Sequence, residues 1–270
     1  MEVSAMKEND RKKVGLALGG GAGRGFAHIG VLQVLKEAGV PIDCICGCSM
    51  GAFIGSVYAA GSDLSMMEKL SIHLTDKDFF DVTLPRSGLI KGERFRQLSK
   101  LLTKDKTFDE LSIPFSCVAC DLEEAKTVVF QTGKVYEAVR ASISIPGVFQ
   151  PHYIDGKMYV DGGVLDIIPI EQTRQMGADY VIAVDVSAPC EFRKIKPKVY
   201  DILMRANDIV GYRYKQTKIY SGDVLIQPDL KEINPYTNAD AALAIERGRE
   251  AAKAAMAKIK KDLAALSIME

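Results

Sequence analysis

Short apolar runs and longer amphipathic stretches alternate along most of this 270-residue chain. The run 14–18 predicts a first strand, followed by a glycine-rich loop over 19–25. Phe26, Ile29, Val31, Leu32 and Leu35 recur at helical spacing, so 26–38 is predicted as a helix that Gly39 ends and Pro41 follows. The short run 44–46 reads as a second, buried strand, and 52–60 as a packed helix. Two amphipathic helices, 64–74 and 92–102, flank an irregular stretch, 76–89, which either covers a site or simply connects. Strands are predicted at 115–119 and 127–131, with Thr132-Gly133 turning into a helix over 135–142 that 143–147 breaks. Tyr159-Val160 reads as strand, and Asp161-Gly162-Gly163 as a turn at its end. Helical 170–176, an apolar run 181–186, helical 197–219, a run 223–226 and an alanine- and lysine-rich helix 239–266 complete the chain. The alternation predicts an α/β fold, a three-layer α/β/α sandwich in which helices cover both faces of a mainly parallel central sheet. With no internal repeat and no low-complexity linker, 14–270 is expected to form a single domain behind a flexible polar leader, 1–13.

Composition narrows the function classes. Thirty-five basic and thirty-five acidic side chains leave no formal net charge, which removes the electrostatic case for nucleic acid or for strong attraction to an anionic membrane. No charge occurs between Asp43 and Asp63, long enough to raise the question of a membrane span. Glycines and serines interrupt the stretch, which reads instead as the buried strand and helix. Cys44, Cys46 and Cys48 alternate along one presumed strand and give no disulfide framework; Cys190 stands alone. Cys117 and Cys120 form a C-x-x-C inside another strand without a second ligand pair, so small buried residues of a cytoplasmic protein are the better reading. No secretory signal is visible at the start of the chain.

The chemistry gathers at three places. Gly47-Cys48-Ser49-Met50-Gly51 spells G-x-S-x-G between a strand and a helix, the context of a nucleophile elbow: a sharp turn that holds the serine hydroxyl clear of the backbone. The glycine loop lacks the Lys-Ser or Lys-Thr of a P-loop, and its glycines at 19, 21 and 25 miss the dinucleotide spacing. Lying at the same sheet edge as the elbow, it suits an oxyanion hole of bare backbone N–H groups. The third place is Asp161, a carboxylate held at a strand end by Gly162 and Gly163. A serine needs a base. Of the histidines, His73 reads as a surface residue, His28 follows the glycine loop, and His152 precedes Asp161, so none follows Asp161 as a Ser…Asp…His order requires. A buried aspartate acting directly on the serine is the alternative.

Together Gly20-Gly21-Ala22-Gly23-Arg24-Gly25, the elbow and Asp161-Gly162-Gly163 resemble the three motifs of the patatin-like phospholipase family, in order and approximate spacing. The stretch 141–149 is similar to bacterial members of that family. The resemblance implies a serine hydrolase with a Ser–Asp dyad and neither cofactor nor metal: Ser49 the nucleophile, Asp161 the base. The N–H groups of Gly20, Gly21, Ala22 and Gly23 would form the oxyanion hole, and Arg24 would brace the loop, with Gly25, Gly47, Gly51, Gly162 and Gly163 supporting the motifs. It implies hydrolysis of acyl esters, often of phospholipid or lysophospholipid, through an acyl-enzyme. The neutral charge and the lack of a membrane span leave apolar surface contact as the expected way of meeting lipid, for a protein expected in the cytoplasm or peripheral at the membrane. Ala22 departs from the family's usual third glycine, and Asp166 stands where asparagine is commoner. Two other readings remain to be tested: a regulatory binding protein on the same fold with a vestigial site, and nucleotide binding through the glycine loop.

Overall fold

The computed structural model describes residues 11–82, 87–187, 194–195, 197–217 and 222–269. In chain order the elements are β1 (Val14–Leu18), α1 (Ala27–Glu37), β2 (Cys44–Cys48), α2 (Met50–Ala59), α3 (Leu64–His73), α4 (Asp76–Phe79), β3 (Gly88–Ile90) and α5 (Glu93–Leu102). They continue with β4 (Phe115–Asp121), β5 (Lys126–Phe130), α6 (Val135–Ser142), β6 (Gly147–Phe149), β7 (His152–Ile154), β8 (Lys157–Asp161), α7 (Ile170–Gln175), β9 (Tyr180–Val184), α8 (Val199–Thr217), β10 (Val224–Ile226) and α9 (Ala241–Ala265).

β10, β9, β1, β2 and β4 run parallel in that order, and β5, β8 and β7 add antiparallel strands at the β4 end. The parallel strands alternate in size. Leu16, Leu18, Ile45, Ile182 and Val184 point into the large core shared with α1, α2 and α9. Their neighbours Ala17, Cys44, Val181 and Ala183 point to the other face, where Ile168 and Ile170 pack. That face is narrow because its residues are small: a Cβ on Gly15 would stand 2.5 Å from both Ala178 and Thr173. The β2 cysteines are therefore packing residues, and burial pushes the thiol of Cys46 up to about 12. Cys117 and Cys120 are both buried on β4, where a spacing of three sends side chains to opposite faces; Cys190 lies outside the described residues.

The registers fix how β4 is shared. Cys117 and Val118 pair with β2 on one side and β5 on the other; Ala119, Cys120 and Asp121 pair with β5 and with β8. β2 and β8 therefore lie end to end along the same edge of β4, running toward each other. Their last residues, Cys48 and Asp161, pair with the adjacent positions Val118 and Ala119.

Several boundaries differ from expectation. A 3-10 turn, Ala22–Phe26, precedes α1, so the expected helix begins one residue late. β6 starts at the last residue of the expected helix break, 143–147, and β7 lies in a stretch for which no element is expected; strands of three residues are too short to show a period. Residues 1–10 of the expected leader lie outside the described residues, but Lys13 already accepts backbone bonds from Asp179 and Tyr180. In 76–89, α4 is docked by Asp76, which accepts from the Thr237 hydroxyl at 2.9 Å and the Asn238 N–H at 2.9 Å; 83–86 lie outside the described residues.

Candidate active site

Ser49 lies between β2 and α2 with φ 52° and ψ −123°, a left-handed backbone that non-glycine residues rarely adopt. Close packing on both sides holds it there. A Cβ on Gly47 would stand 2.5 Å from the Ala52 Cα, and one on Gly51 2.2 Å from the Leu18 carbonyl oxygen. The Ser49 N–H donates to the Ser142 hydroxyl at 2.9 Å, and that hydroxyl donates to the Val118 carbonyl at 2.7 Å. The elbow is thus tied to β4 through the last residue of α6.

The Ser49 Oγ donates to Asp161 Oδ2 at 2.5 Å. The head-to-head ends of β2 and β8 make this meeting. The other carboxylate oxygen accepts the Gly163 N–H at 2.7 Å and faces the Cys48 thiol at 3.8 Å, and the Asp161 N–H donates to the Ser144 carbonyl at 2.9 Å. Burial raises the Asp161 carboxyl to about 6; the hydrogen bonds from Ser49, Gly163 and Cys48 pull the other way. It is mostly ionised at neutral pH, yet basic enough to take a proton.

The glycine loop lies against the serine, so that a Cβ on Gly20 would stand 3.2 Å from the Ser49 Cβ. Its N–H groups divide. Gly19 donates to Val184, Gly20 to Ile167 and Gly23 to Pro235, each at 2.9 Å. Among the described residues, no acceptor is paired with the N–H of Gly21 or Ala22. Two of the four expected oxyanion donors are therefore already engaged. Ala22 has φ 49°, the conformation in which a glycine would be at ease. The Arg24 Nε donates to the carbonyls of Leu230 and Ile233, both at 3.2 Å, and fastens the loop to the segment before α9.

None of the histidines bonds to Ser49 or Asp161. His28 is fully buried, donates from Nε2 to the Gly19 carbonyl at 2.8 Å, and is held down to about 4 by burial. It is a neutral brace under the loop. His152 pairs with Glu137 at 2.8 Å, and His73 bonds to its own helix at Lys69.

Ser49 sits at the junction of two hollows. One, of about 730 Å3, is walled by Phe26, Phe79, Phe80, Phe95 and Phe149 together with Ile143, Ile145 and Val148. The rings support one another: Phe79 and Phe95 lie 5.9 Å apart between centroids, Phe80 and Phe149 6.0 Å. The other, of about 420 Å3, is more polar and includes Asp161, Gly21, Arg205, Lys215 and Lys231. The stretch 141–149 serves both parts of the site. Ser142 holds the elbow, Ser144 holds Asp161, and Ile143, Ile145, Val148 and Phe149 wall the apolar hollow. The roles of Ser142 and His28 are invisible locally, because each acts on the backbone of a residue distant in sequence or in another element.

An elbow serine against a buried carboxylate, beside a glycine-rich turn, is an arrangement suited to acyl transfer. The family model described as Patatin-like phospholipase matches residues 16–174, and the chain belongs to that family. An uncharacterized NTE family protein of Mycobacterium tuberculosis is 40% identical over 177 residues, 65% of this chain and 49% of its own length. Lysophospholipase NTE1 of Coccidioides immitis is 35% identical over 183 residues, 66% of this chain and 12% of its own. The chain thus spans about half the length of the mycobacterial relative and a small part of the fungal one. Among solved structures, VipD from Legionella pneumophila matches with a TM-score of 0.60 at 15% identity, over 91% of this chain and 67% of that one, a likeness of fold.

Proposed function

We propose that this protein hydrolyses carboxylic esters of lipids, phospholipid or lysophospholipid, through an acyl-enzyme on Ser49. The observation that carries the reading is the 2.5 Å bond from the Ser49 Oγ to a buried Asp161 at the edge of an apolar hollow. Asp161 takes the hydroxyl proton as Ser49 attacks the ester carbonyl. The N–H groups of Gly21 and Ala22 receive the developing oxyanion. Asp161 then passes its proton to the departing alkoxide. Water then attacks the acyl-enzyme as Asp161 takes its proton, and Asp161 returns that proton to the Ser49 Oγ as the acid leaves. The phenylalanine-walled hollow suits the acyl chain. The fungal relatives' name, lysophospholipase, supports a glycerophospholipid as the alcohol side.

Labelling with a fluorophosphonate probe, with the modified peptide found by mass spectrometry, tests the reading. Wild type is expected to be labelled on Ser49, Asp161→Asn to label at least about 100-fold more slowly, and Ser49→Ala not at all. Absence of label on folded wild type would overturn the hydrolase reading in favour of a binding protein with a vestigial site.

A further inference from the structure

α8 faces two ways. Its inner side supplies Asp201 and Met204 to the apolar hollow, and Met204, Asn207, Asp208 and Gly211 to the polar one. On the side turned from both hollows, Val199 is 76% exposed, Ile202 48%, Leu203 63%, Ile209 43% and Val210 67%. At 100° per residue these five fall in one arc, which a helix buried against its own protein would turn inward. The arc begins at Val199, next in sequence to Lys198 of the apolar hollow's wall, and Leu89, Ile195 and Tyr236 are both wall residues and exposed, which marks the mouth of that hollow. Lys194 and Lys198 stand exposed at the same mouth, and exposed Arg213 follows on the outer arc. Among the described residues no helix is long and apolar enough to cross a membrane.

We infer that the outer face of α8, with the exposed rim of the hollow, docks this protein on a lipid surface so that an acyl chain passes from the surface into the hollow beside Ser49. The choice of a lipid surface as occupant rests on the lipid-ester reading. It rests also on two features of the patch. The apolar arc is fringed by lysine and arginine, the pattern of a helix lying in a membrane interface beside lipid phosphates. And Ile195 and Lys198, just before the arc in the chain, line the apolar hollow, so a surface lying on the arc would meet that hollow's rim. An apolar arc of this kind is rarely left bare on a monomer without a binding role.

The test is co-sedimentation with phosphatidylcholine vesicles, with and without added phosphatidylglycerol, alongside hydrolysis of a water-soluble short-chain ester. Leu203 and Val210 line neither hollow, so the double variant Leu203→Glu/Val210→Glu is expected to lose vesicle partitioning by about 10-fold or more. It should keep short-chain turnover, which also reports that it has folded. Leu203→Trp should bind vesicles more tightly than wild type, and phosphatidylglycerol should tighten binding of both. Ser49→Ala should bind vesicles as wild type does, so failed catalysis and failed docking are separable. Vesicle binding unchanged by the double variant, or absent from wild type, overturns the inference. So does a wild-type dimer in sedimentation velocity that the double variant breaks, since a second copy would then cover the face.

Discussion

With Asp161 as the proposed base, activity and stability would be coupled through one carboxyl and would respond to pH in opposite senses. If it is the base, the rate should fall on the acid side with a midpoint near 6, where burial has placed the carboxyl. kcat/KM for a soluble ester between pH 4.5 and 8 measures that limb; a midpoint near the ordinary carboxylate value would assign it to another group. The stability effect follows from the same displacement. Below about 4 the group is protonated in folded and unfolded chains alike and costs nothing. As pH rises from 4 to 6 the unfolded chain gives up its proton and the folded chain must hold it. Above 6 the folded state carries a buried charge costing on the order of 3 kcal/mol. Asp161→Asn should therefore unfold at a higher temperature than wild type at pH 7.5, with the gain vanishing below pH 4, while activity is lost. Ala22 is the second position where chemistry and strain meet. An L-residue at its φ of 49° carries about 1–2 kcal/mol, offset in a glycine by about 0.5–1 kcal/mol of extra chain entropy. Ala22→Gly keeps the N–H, so melting temperature should hold or rise slightly and labelling of Ser49 should stay within a few-fold. A large loss of labelling would mean that the methyl group itself shapes the turn. Ser49, Asp161 and the glycines were legible in the sequence because a tight turn constrains its own neighbours. Ser142 and His28 were not, because what each holds is a backbone atom brought near only by folding.

Elements, in turn, show why the two motifs meet although 112 positions separate them. β2 and β8 divide one edge of β4 between them, so each strand's end is set by where the other stops. Short, mainly apolar runs mark the parallel strands, but no such signal marks β6 and β7 or says that β8 runs antiparallel. Partner choice belongs to the sheet rather than the strand. The α1–α9 pair was equally hidden. Gly30 and Gly248 let the two helices touch backbone to backbone: a Cβ on Gly30 would stand 2.0 Å from the Ile245 carbonyl oxygen, and one on Gly248 2.0 Å from that of Ala27. These obstacles are main chain, which cannot swing aside. Gly248→Ala should cost about 1–3 kcal/mol by overpacking. Differential scanning fluorimetry would read this as a lowered melting temperature. An unchanged value would mean that α9 shifts along α1 at little cost.

At the scale of the whole molecule, sheet and helices set an opening of about 730 Å3 beside Ser49 and wall it with phenylalanine from four separate parts of the chain: the 3-10 turn, α4 with the residue after it, α5 and β6. Such a wall recognises length rather than chemical detail, since each methylene moved from water into an apolar lining is worth about 0.8 kcal/mol. For a series of p-nitrophenyl esters, kcat/KM should therefore climb with acyl length by up to about fourfold per methylene, then level off where the chain has filled the hollow. Phe80 offers a way to move that point. It is half-buried and lies 6.0 Å from Phe149, so truncation lengthens the hollow without removing a fully buried ring. Phe80→Ala should leave the acetyl ester almost unchanged, because an acetyl group stays beside Ser49, and shift the plateau toward longer chains. If the profile is flat in wild type, the acyl chain does not enter this hollow. If it climbs but Phe80→Ala lowers all lengths alike, the ring supports the site without bounding the chain.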